Sequence, residues 1–202
     1  MKIVTNLIIV ALLIFSSPFS LRASDNSSDS SIISKIVNNF YEWYLNSINK
    51  GLHDEFKPKF IEDKDGMTTL DYSQYIENLR IYNFSDSLIE REKLSYQKCI
   101  ENLSKVKFSD FGKTLFIDLD EYEQANCDFG NYYRWSGGQE PIKYISVSKI
   151  EFKTVDSVLV RIQECHLDTK TNKKQCRDIN TLRVIKLDNK WYIDNFDSWE
   201  LR

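Results

Sequence analysis

Histidine, cysteine and clustered carboxylates are the residue types in this 202-residue chain that could carry chemistry. His53 and His166 could each act as a base near neutral pH. His53 stands in a charged stretch and His166 directly follows Cys165, so both read as surface histidines. A Cys127 nucleophile with either histidine as base would need a free thiolate, and cysteine pairing argues against one. The run Asp118-Leu119-Asp120-Glu121-Tyr122-Glu123 is the best set of oxygen donors for a hard cation, with Asp118, Asp120 and Glu123 as its ligands. Glu123 occupies the position where the calcium-loop pattern needs glycine, so a solvated acidic loop is the simpler reading. Zinc is disfavoured because no C-x-x-C pair exists and the histidines lie far apart in the chain. The chain has no G-x-S-x-G, G-x-G-x-x-G, P-loop or H-E-x-x-H motif, and no cofactor is expected.

The elements that must position these residues begin with a leader. Lys2 precedes an apolar stretch, Leu7 to Phe15, that is too short to span a bilayer and of signal-peptide length. Leu21-Arg22-Ala23 offers a cleavage site, so residues 1–23 are expected to be removed on export to the periplasm or medium. That cut takes away Lys2 and Arg22 and no acid, moving the net charge from -3 to -5. An acidic chain without a basic block argues against nucleic acid and against a membrane surface as partner once the leader is gone. In an exported chain four cysteines favour disulfides over buried free thiols. Cys165 and Cys176 flank a hairpin, which makes them one pair and leaves Cys99 and Cys127 as the other.

Residues 24–31, SDNSSDSS, read as a disordered polar linker before a single domain over 32–202. Apolar residues at Ile32, Ile33, Ile36, Val37, Phe40, Tyr44 and Ile48 predict a helix from a Ser31 cap to a Gly51 stop. Residues 52–66 read as a loop. A second helix is expected from Thr68 or Thr69 through Asn83, and a third from Ser85 or Ser87, where Ser87 and Glu90 fit a capping box. Residues 106–141 carry a short strand at Leu115–Ile117 and an irregular aromatic connection. Alternation then predicts strands over 142–194, with an Asp188-Asn189 turn before the last and either a bulge or a doubly covered strand in Thr181–Leu187. Three helices followed by an antiparallel meander make an α+β fold.

That layout resembles the nuclear-transport-factor-two-like (cystatin-like) α+β roll. The likeness rests on the first helix with Phe40-Tyr41-Glu42-Trp43-Tyr44, the Asp118-Leu119-Asp120 stretch, and the closing Lys190-Trp191-Tyr192-Ile193-Asp194. It is similar to small exported bacterial proteins grouped as a domain of unknown function. The resemblance implies three helices packed on a curved antiparallel sheet with a cone-shaped opening. Trp43, Tyr44, Tyr133, Trp135, Arg161 and Trp191 would line that opening. The competing reading, favoured by the regular spacing of the aromatics, is that they fill the core, with Arg161 on the solvent face.

With no catalytic constellation, the leading expectation is a non-enzymatic exported binding module for an unidentified protein or small molecule. Its finer form is an immunity-like inhibitor of a toxin that acts on the cell wall. The alternative is a small-molecule-binding or isomerase- or dehydratase-like roll with a pocket carboxylate as base. Dimerisation through the exposed sheet face is a further expectation.

Overall fold

The computed structural model describes residues 22–127, 134–136, 142, 144–167 and 174–197. Helix α1 (Arg22–Asn49) is followed by α2 (His53–Phe56), β1 (Lys59–Glu62) and β2 (Thr68–Asp71). Helices α3 (Ser73–Ile81), α4 (Asp86–Ser95), α5 (Gln97–Leu103) and α6 (Leu119–Gln124) come next, and β3 (Ile145–Thr154), β4 (Ser157–Leu167), β5 (Lys174–Leu187) and β6 (Lys190–Phe196) close the chain. The last four strands form one antiparallel meander, β3-β4-β5-β6, and β1 and β2 form a separate hairpin. The chain is α+β.

Helix α1 uses its apolar stripe as the sequence predicts. Ile33, Val37, Phe40, Tyr41, Tyr44 and Leu45 are buried, and the helix lies against β3 and β6. Its start differs from expectation. The segment 24–31, expected as a disordered linker, is helical. An acceptor on that extension explains why: Asp29 takes a hydrogen bond from the indole nitrogen of the buried Trp191 at 3.0 Å and another from Lys186 at 3.2 Å. Polar composition hid a helix whose stability comes from two contacts some 160 residues away in the chain. Residues 1–21 lie outside the described residues, and with them all of the expected leader except Arg22 and Ala23, which begin α1.

The end of α1 follows the sequence closely. Gly51, at φ 68°, occupies the left-handed position after the helix. Its amide donates to the Ile48 carbonyl and the Leu52 amide to that of Ser47. This pair of bonds is a Schellman closure, which glycine fits without a Cβ penalty. The reversal sends the chain straight into α2, so the expected loop over 52–66 contains a helical turn and the strand β1.

Two other helices differ from expectation. Thr68–Asp71 is a strand, because its alternating Thr68 and Leu70 are buried and it pairs with Lys59–Glu62. The following helix starts only at Ser73, where Asp71 accepts from the Ser73 amide and hydroxyl. The third predicted helix is two helices, α4 and α5, meeting at Tyr96. Its cap is Ser85, whose hydroxyl accepts from the Leu88 amide at 3.1 Å; the Ser87 hydroxyl is turned to Asp194 instead. Leu115–Ile117 is not a strand. Phe111 and Leu115 share one isolated bridge, and α6 follows, with Asp118 and Glu121 completing a capping box.

The meander matches its sequence pattern. Val158, Val160, Ile162, Leu182 and Val184 face the core fully buried, while the intervening Arg161 and Arg183 are exposed. Asp188 and Asn189 both have positive φ, the geometry of a two-residue hairpin turn that follows strand twist. Cys165 and Cys176 are opposite in register and bonded, and Cys99 is bonded to Cys127. Each bridge stabilises by about 2–4 kcal/mol, chiefly by restricting the unfolded chain. The β5–β6 register shifts between Arg183 and Val184, leaving Asp194 as the extra residue of a bulge on β6. Along Thr181–Leu187 the extra residue falls on β6, while β5 carries one of its own at Ile179, against β4.

Candidate functional site

The interior of the fold is occupied. Trp135 is fully buried and sits edge-on to Phe40 and Phe84 and beside Phe196, with ring centroids 4.9–6.1 Å apart. Its backbone is fixed from α1: the Tyr41 hydroxyl donates to the Trp135 carbonyl at 2.8 Å, and the Trp135 amide donates to the Tyr44 hydroxyl at 3.3 Å. Burial, with Tyr44 alongside, pushes the Tyr41 hydroxyl well above its usual pKa, so it stays a neutral donor. Of the six residues expected around an opening, Tyr44, Trp135 and Trp191 are buried in the core cluster, and Trp43 packs on its edge. Arg161 is exposed on the other face of the sheet, and Tyr133 lies outside the described residues.

Among the described residues two carboxylates are buried, and sequence reasoning named neither as a site. Glu92 is fully buried on α4. It accepts from Tyr75 at 2.8 Å and Tyr96 at 2.5 Å and pairs with Arg134 at 2.8 Å. Arg134 also lies 5.4 Å over the Tyr96 ring. Burial works against the Arg134 charge, but Tyr96 and Glu92 outweigh it and hold its pKa above the usual guanidinium value. Burial, then Glu92, pushes Tyr75 and Tyr96 well above the ordinary phenol range, and the neighbouring Tyr72 up to about 12. A carboxylate so fully bonded is a structural link among α3, α4 and the Trp135 segment.

Asp194, the bulge residue, is the second. Its carboxylate accepts from Ser85 and Ser87, each at 2.7 Å, and from Arg183 at 2.7 and 3.1 Å. The Arg91 guanidinium donates to its carbonyl. Burial alone would raise this carboxyl, but the Ser85, Ser87 and Arg183 bonds and the Arg183 charge hold it below the usual carboxylate range. The bulge thereby ties the start of α4 to the sheet edge.

The acidic run holds no cation site. Asp118 spends its side chain capping α6, and Asp120 and Glu123 are exposed. Among the described residues no three His, Cys, Asp or Glu side chains converge as a metal would require. Cys127 is in a disulfide, His166 is exposed, and His53 sits on α2, where burial and then Lys57 hold its imidazole below the usual value.

A concave feature of the described surface lies elsewhere. A groove of about 460 Å³ runs along the outer side of α1, walled on the far side by Leu52, Glu55 and Tyr82. Positions 39, 42, 43, 46 and 50 recur at helical spacing, which places Asn39, Glu42, Trp43, Asn46 and Lys50 on one stripe of α1. The Trp43 indole stacks on Tyr82, with centroids 4.5 Å apart and planes 18° from parallel. The Trp43 indole nitrogen donates to Glu55 Oε2 at 3.2 Å, and the buried Ser47 hydroxyl to the same oxygen at 2.6 Å. Partial burial, then Glu55 and Glu42, raises the Tyr82 hydroxyl pKa. Only Trp43 among these was singled out from sequence. The available signal for the rest was polar residues repeating at the helical period beside it.

The chain matches no family model, no curated protein and no solved structure.

Proposed function

We propose that this chain is an exported binding module whose contact surface is the groove along α1, not an enzyme built around an internal pocket. The observation that carries the reading is Trp135. This tryptophan, fully buried among Phe40, Phe84 and Phe196 and held by Tyr41 and Tyr44, occupies the place an internal ligand would need. A pocket base finds no support either, because Glu92 and Asp194 are saturated by their own partners. Helix α1 lying against a four-stranded antiparallel meander supports a nuclear-transport-factor-two-like roll in which the opening is filled.

Export is supported by the leader pattern and by two disulfides, which persist in oxidising compartments. Among the described residues no helix is long and apolar enough to cross a membrane. The finer form of the reading, an inhibitor of a cell-wall-directed toxin, draws support from acidic charge and from aromatic residues at the groove, since Trp and Tyr serve as interface anchors. The test is uptake of a small apolar probe such as xenon, followed by NMR. Wild-type protein should show no interior binding, and Trp135→Ala, which opens a cavity, should show it. Saturable xenon shifts at core residues of the wild type would contradict the reading.

A further inference from the structure

The groove carries unbalanced charge. Glu42 projects from α1 and Glu55 from α2, on opposite walls, and both act on the Tyr82 hydroxyl. Glu55 is anchored through one oxygen only, by Trp43 and Ser47, and its other oxygen has no partner among the described residues. Glu42 has no hydrogen bond or ion pair from its side chain there. Lys50, the one cation of the lining, stands just past the end of α1 and makes no ion pair with either carboxylate. The lining thus sets two carboxylates against one ammonium, a net charge of -1.

These features select a ligand group. An anion would meet two carboxylates. A cation gains from both, and one carboxylate is already held in place, so little ordering is needed on binding. The Trp43–Tyr82 stack adds an electron-rich aromatic wall of the kind that guanidinium and ammonium groups favour. Asn39 and Asn46 supply amide oxygens that accept from a cation's remaining N–H groups.

Resting on the binding-module reading, the geometry points to the α1 groove as a receptor for a basic side chain, arginine or lysine, presented by a partner protein. An acidic chain suits a basic partner, whose approach its charge would speed.

The test is calorimetric titration of the disulfide-intact protein at low salt. The probes are an arginine-centred heptapeptide, the same peptide with citrulline, N-acetylarginine amide and N-acetylglucosamine. The arginine peptide should bind saturably and at least tenfold more tightly than its citrulline counterpart. It should also bind more tightly than the free amide, and weaken several-fold in 0.5 M NaCl. Glu42→Gln with Glu55→Gln should cost at least tenfold in affinity with an unchanged Tm, because the glutamine carbonyl still accepts from Trp43 and Ser47. Equal binding of the citrulline peptide, or unchanged binding by the double variant, would overturn the proposal. So would binding of the sugar in place of the arginine peptide. Equal affinity for the free amide would overturn the partner-borne source. None of these outcomes places a ligand at Trp135, so the binding-module reading stands or falls separately on xenon uptake.

Discussion

At the scale of single residues, the two buried carboxylates hold elements together, and each fails differently when altered. Glu92 is fully buried and its ion-pair partner Arg134 is about three-quarters buried, so the carboxylate has no water to turn to. Arg134→Met strands the carboxylate and should cost about 3–5 kcal/mol, whereas Arg134→Met with Glu92→Leu should cost markedly less than either single change. Chemical denaturation of the three variants measures this. Asp194 adds a pH signature. Its folded-state pKa lies below the unfolded value, so its contribution is complete above the unfolded pKa and is lost as pH falls through the folded one. Asp194→Asn should therefore lower stability by about 2–3 kcal/mol at pH 7. The gap from wild type should narrow as pH falls below about 4. A gap that persists to pH 2 would mean the carboxylate's charge is not what ties α4 to β6.

At the scale of elements, the α1 extension is the part that composition concealed. Asp29→Ala removes the acceptor shared by Trp191 and Lys186 and should cost about 1–2 kcal/mol. Hydrogen exchange should show residues 24–31 losing protection while the rest of α1 keeps it. Much of the remaining layout was legible. The Ile33–Tyr44 stripe, the Gly51 stop, the Asp188-Asn189 turn and the Cys165–Cys176 staple are all local patterns with local causes. Strand β2 was hidden because its supports, pairing with β1 and the bonds from Thr68 to Val106, are contacts that periodicity cannot register. Glu92 was legible and passed over. It falls at the helical spacing of Leu88, Ile89, Tyr96 and Cys99, and an acid on an apolar stripe signals a buried partner. The groove was harder to see, since its far wall comes from Leu52, Glu55 and Tyr82, and the reversal at Gly51 is what brings the first two beside Trp43.

At the scale of the whole molecule, the account places a sealed aromatic interior behind an open, acidic groove. Helix α1 divides the two: Tyr41 and Tyr44 face inward to Trp135, and Trp43 faces outward to Glu55. The most direct measurement is hydrogen exchange of the two indole N–H groups, Trp43 and Trp135, followed by NMR in the disulfide-intact protein. The Trp135 indole is expected to exchange only on global unfolding, and the Trp43 indole orders of magnitude faster through local opening of the groove. A Trp135 indole that exchanges as fast as that of Trp43 would mean that the interior is open to water, and would contradict the account.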